Sequence, residues 1–162
     1  MRKLWLLIPA VMLLPAGCGG KAGSGELVMH PVAGQVLYDG KPVAGVEVTL
    51  LPTDAPMVPT IPRNPRAVTD AQGRFVIGTF TDADGAAEGG YQILCHWPKT
   101  APGAEGENEV DPSEDDRLLR WYDPMNSKFS LRVKAGENVV PPLQLVKHSQ
   151  PPPKSDGIPG RN

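Results

Sequence analysis

The chain has 162 residues and a formal net charge of −2, with 16 Lys and Arg against 18 Asp and Glu. It carries no stripe of cations that could displace counterions from phosphates, which excludes nucleic-acid binding as a function class. Its 18 Gly and 19 Pro disfavour long helices and favour short strands joined by turns, and the length suits one domain with a core of its own.

At the N-terminus, Arg2 and Lys3 precede an apolar run from Leu4 to Leu14 interrupted by Pro9. The run is too short for a spanning helix, which needs ~20 apolar residues. Its charge, length and small-residue ending are those of a secretory signal. That ending, Leu14-Pro15-Ala16-Gly17-Cys18-Gly19-Gly20, resembles the lipobox of bacterial lipoproteins, with Pro15 where a Leu is usual. The resemblance implies a signal peptide over 1–17 and lipid (palmitate among its acyl chains) on the sulfur of Cys18. It also implies a membrane partner reached through that anchor, at the periplasmic face of the envelope or the cell surface. The alternatives are an ordinary cleaved signal that happens to contain a Cys, and an uncleaved anchor. Residues 18–30 then read as a lipidated flexible tether, because Lys21 to Glu26 is Gly- and Ser-rich.

Val32 to Tyr38 predicts a strand, and Asp39-Gly40 supplies the positive φ values of a tight hairpin turn. In Val46 to Leu51, Val46, Val48 and Leu50 point one way and Glu47 and Thr49 the other, so that strand has one dry and one wet face. Asp70-Ala71-Gln72-Gly73 forms a turn in which Asp70 accepts backbone N–H groups and Gly73 takes a positive φ. Phe75 and Ile77 then share a face opposite Arg74 and Val76. Tyr91, Ile93, Cys95 and Trp97 share a face opposite Gln92, Leu94 and His96. These two β-rich runs, Phe75–Thr79 and Tyr91–Trp97, predict a hairpin whose return strand enters the core.

On these residues the chain resembles a known family. Gly34, Asp39, Gly40, Pro42, Gly45, Val46 and Val48, then Thr69, Asp70, Gly73 and Phe75, then Gly90, Tyr91 and Ile93 look like the pattern of the carboxypeptidase regulatory-like domain. A weaker continuation runs from Arg120-Trp121-Tyr122-Asp123-Pro124 to Leu131-Arg132-Val133, with Lys128 where a Gly is usual. The resemblance implies an all-β fold: a single seven-stranded transthyretin-like β-sandwich over 31–147, with one short helix between late strands. Residues 148–162 are expected to be a disordered tail.

Leu51 to Arg66 carries five prolines, at 52, 56, 59, 62 and 65, and is expected to be extended and surface-borne. Pro98 to Asp116 is an acidic excursion, at whose end Ser113 is placed to cap the short helix, with Glu114, Asp115 and Asp116 in its first turn. Phe129, Leu131 and Val133 alternate with Ser130, Arg132 and Lys134 as a half-buried strand, and Val139 to Val146 supplies the last strand, broken near Pro141-Pro142.

Three candidate site chemistries follow. Trp121 and Tyr122, if exposed together, could stack on a sugar ring. Asp82, Asp84 and Glu88 lie close enough to suggest a calcium loop, but Gly85 falls at the fourth position from Asp82, not the sixth, and the flanks read as strands. His30, His96 and His148 are too scattered for a metal or for a Ser–His–acid site, so no catalytic residue and no cofactor is expected. Cys95, on an inward face, reads as a structural thiol. The expected function is a non-catalytic envelope lipoprotein that binds a protein or serves a structural role. The alternatives are a carbohydrate or cell-wall module using Trp121 and Tyr122, and a calcium-binding surface domain.

Overall fold

A computed structural model describes residues 27–54, 64–99 and 115–153. Cys18 and the predicted signal peptide, most of the Pro-rich stretch, and 100–114 of the acidic excursion lie outside them. The described residues are all-β, with no helix and eleven short strands.

The first larger sheet is built around β2 (Val32–Tyr38). Asp39 and Gly40, at φ 48° and 76°, make the tight turn expected of them and return the chain into β3 (Lys41–Pro42), antiparallel to β2. Instead of continuing that hairpin, the chain crosses at Gly45 and enters β4 (Glu47–Pro52) in a second sheet. Thr69 fixes the crossing: its buried hydroxyl accepts the Val46 amide at 2.9 Å and donates to the Val43 carbonyl at 2.8 Å. The second sheet runs β5 (Arg66–Val68), β4, β8 (Gly89–His96), β9 (Ser130–Val133), every pair antiparallel.

The predicted hairpin between Phe75–Thr79 and Tyr91–Trp97 does not form. β6 (Arg74–Val76) pairs with β2, whereas β8 lies between β4 and β9 in the other sheet. The segment between them closes on itself. The Asp84 carboxylate accepts the amides of Thr79, Phe80 and Thr81, and the Thr79 hydroxyl donates to the Gly85 carbonyl. The chain then enters β7 (Ala86–Ala87), antiparallel to β1 (Met29–His30). Periodicity had assigned faces correctly but carries no information about non-local partners. Met29 and His30 thus belong to a strand, not to the tether expected over 18–30.

Near the C-terminus, β10 (Asn138–Val139) and β11 (Leu143–Leu145) are separated at Pro141-Pro142, as expected from rings that remove the ladder donor. Both run parallel to β2, opposite Val32–Ala33 and Val36–Tyr38 respectively. Even-numbered residues of β2 bond toward β6, through Val32 O to Ile77 N and Val36 N to Gly73 O. Odd-numbered ones bond toward the C-terminal strands, as where Ala33 O accepts Val140 N, and Asp39, just past the strand, continues the pattern by donating to Leu145 O. The two sheets meet at one margin, where Arg66 and Gly78 exchange N–H···O bonds of 2.9 and 3.0 Å.

Both larger sheets contribute to one core. Val32, Val36, Val46, Val48, Leu50, Ile77, Ile93 and Leu145 are fully buried, and Phe75 and Tyr91 nearly so. Each contributes about 1.5–3 kcal/mol by removal from water. Leu131, read as an inward residue, is only half-buried because β9 ends its sheet.

The expected short helix is replaced by successive turns over residues 117–126; Ser113 and Glu114 lie outside the described residues. Asp116 holds the turn by accepting the amides of Leu118 and Arg120. Leu119 and Arg120 then take φ of 52° and 66°, and two consecutive left-handed residues end any right-handed helix.

Candidate functional site

Trp121 and Tyr122 do not form a joint platform. Tyr122 is buried, stacks on Phe129 at 5.6 Å between ring centroids, and accepts the Val146 amide on its hydroxyl. Burial pushes its phenol pKa up, against the opposing effect of that N–H. Trp121 is half-buried. His148 lies over its ring at 3.9 Å, nearly parallel, and its indole N–H donates to the Gln150 carbonyl at 2.8 Å. Residues 148–150, read from sequence as the start of a disordered tail, are thus packed against Trp121.

The acidic trio is likewise dispersed. Asp84 spends its oxygens on three backbone amides, and Glu88 reaches His30 Nε2 at 3.4 Å. Burial raises the Asp84 carboxyl pKa, but the three N–H donors outweigh it and hold it below the usual carboxylate range. No group of three or more His, Cys, Asp and Glu comes together among the described residues to hold a metal ion. The histidines are separate: His30 Nδ1 accepts the Gly136 amide, His96 Nδ1 lies 3.4 Å from Glu47, and His148 covers Trp121. Cys95 is buried, and desolvation, with the Asp116 charge assisting, pushes its thiol pKa up to about 12.

A different surface carries a groove. An open groove of about 460 Å³ runs along β8 and β9, with Tyr91, Phe129 and Leu131 of their core-facing side among its lining residues. Gly90 and Gln92 of β8 line it beside Ser130 and Arg132 of β9, with Thr53 and Lys128 also on its wall. Gly90 makes room for Asp54, whose carboxylate accepts the Gly90 amide and pairs with Arg132. The Arg132 hydrogen bond, seconded by that amide, holds the Asp54 carboxyl pKa below its ordinary value. Gln92 is fixed by donating to the carbonyls of Pro124 and Ser127, both at 3.0 Å. The result is a mixed surface on which Ser130 and Lys128 are exposed, Arg132 is paired with Asp54, and both Gln92 amide protons are bonded within the fold. Sequence reading missed it, although Lys128, Ser130 and Arg132 at alternate positions announce a polar, cationic strand face.

No family model matches the chain, and no curated protein matches it. A solved structure that does match is the dioxygenase domain of a dioxygenase–carbohydrate-binding protein fusion from the cellulolytic bacterium Streptomyces sp. SirexAA-E. It is 18% identical, covering 78% of this chain and 84% of that one, with a TM-score of 0.37. A likeness at this level assigns neither fold family nor activity.

Proposed function

We propose that the protein is a non-catalytic binding or structural module of the cell envelope, a transthyretin-type sandwich tethered to a membrane through lipid on Cys18. The observation that carries the binding role is the groove over β8 and β9. Its wall is held in place by Asp54–Arg132 and by the bonds of Gln92, leaving Lys128 and Ser130 exposed toward a partner. The sandwich reading is supported by two sheets that share one core and meet at Arg66–Gly78, together with the carboxypeptidase regulatory-like pattern of the sequence. The address is supported by Leu14 to Gly20, and the presence of Met29 and His30 in a strand would set the folded part close behind a short tether.

The test is fractionation and cross-linking in intact cells of a bacterial host, comparing wild type with Cys18→Ala. Wild type is expected in the membrane fraction, and the variant in the soluble envelope fraction with the fold intact. A soluble wild type, or a variant that stays with the membrane, overturns the anchored reading.

A further inference from the structure

We propose that the open edge of β9 binds an extended acidic peptide by strand addition; this rests on the protein-binding reading above and names its partner class. The argument starts from ladder geometry. The Ile93 amide donates to the Phe129 carbonyl at 3.0 Å, and the β8–β9 register puts these residues opposite one another. In an antiparallel ladder such pairs alternate, so Phe129, Leu131 and Val133 turn their backbone groups toward β8, and Ser130 and Arg132 turn theirs away. Gly90 corroborates the alternation, since it sits opposite Arg132 and bonds in the other direction, to Thr53 and Asp54. β9 ends its sheet, and among the described residues nothing pairs with its far side. The C-terminal end of that edge is closed, because Lys134 bonds to the Asn138 side chain through both its N–H and its carbonyl. The open stretch is therefore 128–132.

Side chains along this stretch define the occupant. Lys128, Ser130 and Arg132 lie on the outer face and are exposed, while Phe129 and Leu131 on the other face are only partly covered by the core. An added antiparallel strand would put alternate side chains beside each set. A carboxylate would stand opposite Lys128, and a second, four residues away, would share Arg132 with Asp54, which already pairs with it across Gly90. A polar side chain would lie opposite Ser130, and apolar side chains at the two intervening positions beside Phe129 and Leu131. Opposite charges directly across a sheet are favourable and like charges are not. Main-chain bonds supply affinity and the alternate side chains supply selection.

The test uses the full-length protein purified in detergent and a five-residue acid–apolar–polar–apolar–acid peptide with blocked ends, read by fluorescence anisotropy. Two N-methylated forms separate backbone pairing from charge. Methylation at the third position blocks the amide facing Ser130 and is expected to abolish binding; at the second position, facing away, it is expected to be tolerated. Ser130→Pro removes an edge-facing donor that the fold does not use, a placement edge strands accept, and should abolish binding with melting little changed. Lys128→Glu should weaken binding roughly tenfold, by like-charge juxtaposition. No binding of the parent peptide, equal binding of the two methylated forms, or an acidic polysaccharide binding where the peptide does not would each overturn the proposal. A protein partner captured in cells equally by wild type and by a folded Ser130→Pro would overturn it too, while leaving the envelope-module reading standing.

Discussion

Asp84 offers the sharpest test of how this fold uses its acidic residues. Replacing it with Ala removes the acceptor for the amides of Thr79, Phe80 and Thr81, bonded at 2.6, 3.0 and 3.1 Å. Hydrogen bonds to a charged group contribute about 1.5–3 kcal/mol each when the alternative is an unsatisfied buried donor. Phe80 and Thr81 are exposed and their amides can turn to water, whereas Thr79 is buried. The expected loss is therefore closer to one such bond than to three, about 2–3 kcal/mol. At roughly 4 °C per kcal/mol for a domain of this size, the melting temperature should fall by about 8–12 °C at pH 7. The pH dependence has a defined sign. The folded carboxyl lies below its unfolded value of about 3.9, so its contribution is present above that pH and is lost as pH falls through the folded pKa. The gap between wild type and Asp84→Ala should therefore close in acid. Thermal denaturation from pH 7 to pH 2, with and without millimolar calcium, measures all of this. A variant as stable as wild type at pH 7, or a wild type stabilised by calcium with the effect lost in Asp84→Ala, would refute the assignment of this carboxylate to the backbone.

Further expectations follow from the core and the crossing between sheets. Thr69→Val should cost about 2 kcal/mol in chemical denaturation, because it strands the Val46 amide and the Val43 carbonyl, while Thr69→Ser should cost much less. Gly34→Ala should destabilise by about 1–3 kcal/mol through overpacking, since a Cβ there would meet Phe75 Cζ at 2.6 Å and Val140 Cβ at 2.9 Å. Cys95 should resist alkylation at pH 8 in the folded protein and react on unfolding. Because its folded pKa is raised to about 12, its contribution is complete below the unfolded value of about 8.5 and is lost as pH rises from there through 12, which an alkaline denaturation series would register.

Local chemistry was legible in the sequence, and partnership was not. Asp70 accepts the amides of Gln72 and Arg74, and Gly73 sits at φ 70°, as the turn signature requires. Alternation sorted Phe75 and Ile77 from Arg74 and Val76, and Tyr91, Ile93 and Cys95 from their neighbours. The hairpin assignment failed because sequence proximity suggested that β6 and β8 pair, whereas the Asp84 loop sends the chain across to the other sheet. The helix assignment failed because an acidic first turn is read equally well by a turn stapled through Asp116. Of the candidate sites, the aromatic pair was visible as residues but not as surroundings: His148 and Val146, more than twenty positions away, decide that Trp121 is covered and Tyr122 buried. The groove escaped notice because it is assembled from β8, β9 and the Thr53–Asp54 turn, and Gly90, whose missing side chain leaves room for Asp54, gives no polar signal in the sequence.

The position of β2 has a consequence for how the chain comes into being. This strand, near the start of the folded part, receives β10 and β11 from its far end, opposite Val32–Ala33 and Val36–Tyr38. Its sheet therefore cannot be completed during synthesis until residues beyond Leu145 have left the ribosome, and closing so long a loop slows the final step. The order of the strands thus sets how much of the chain must emerge before this sheet can close.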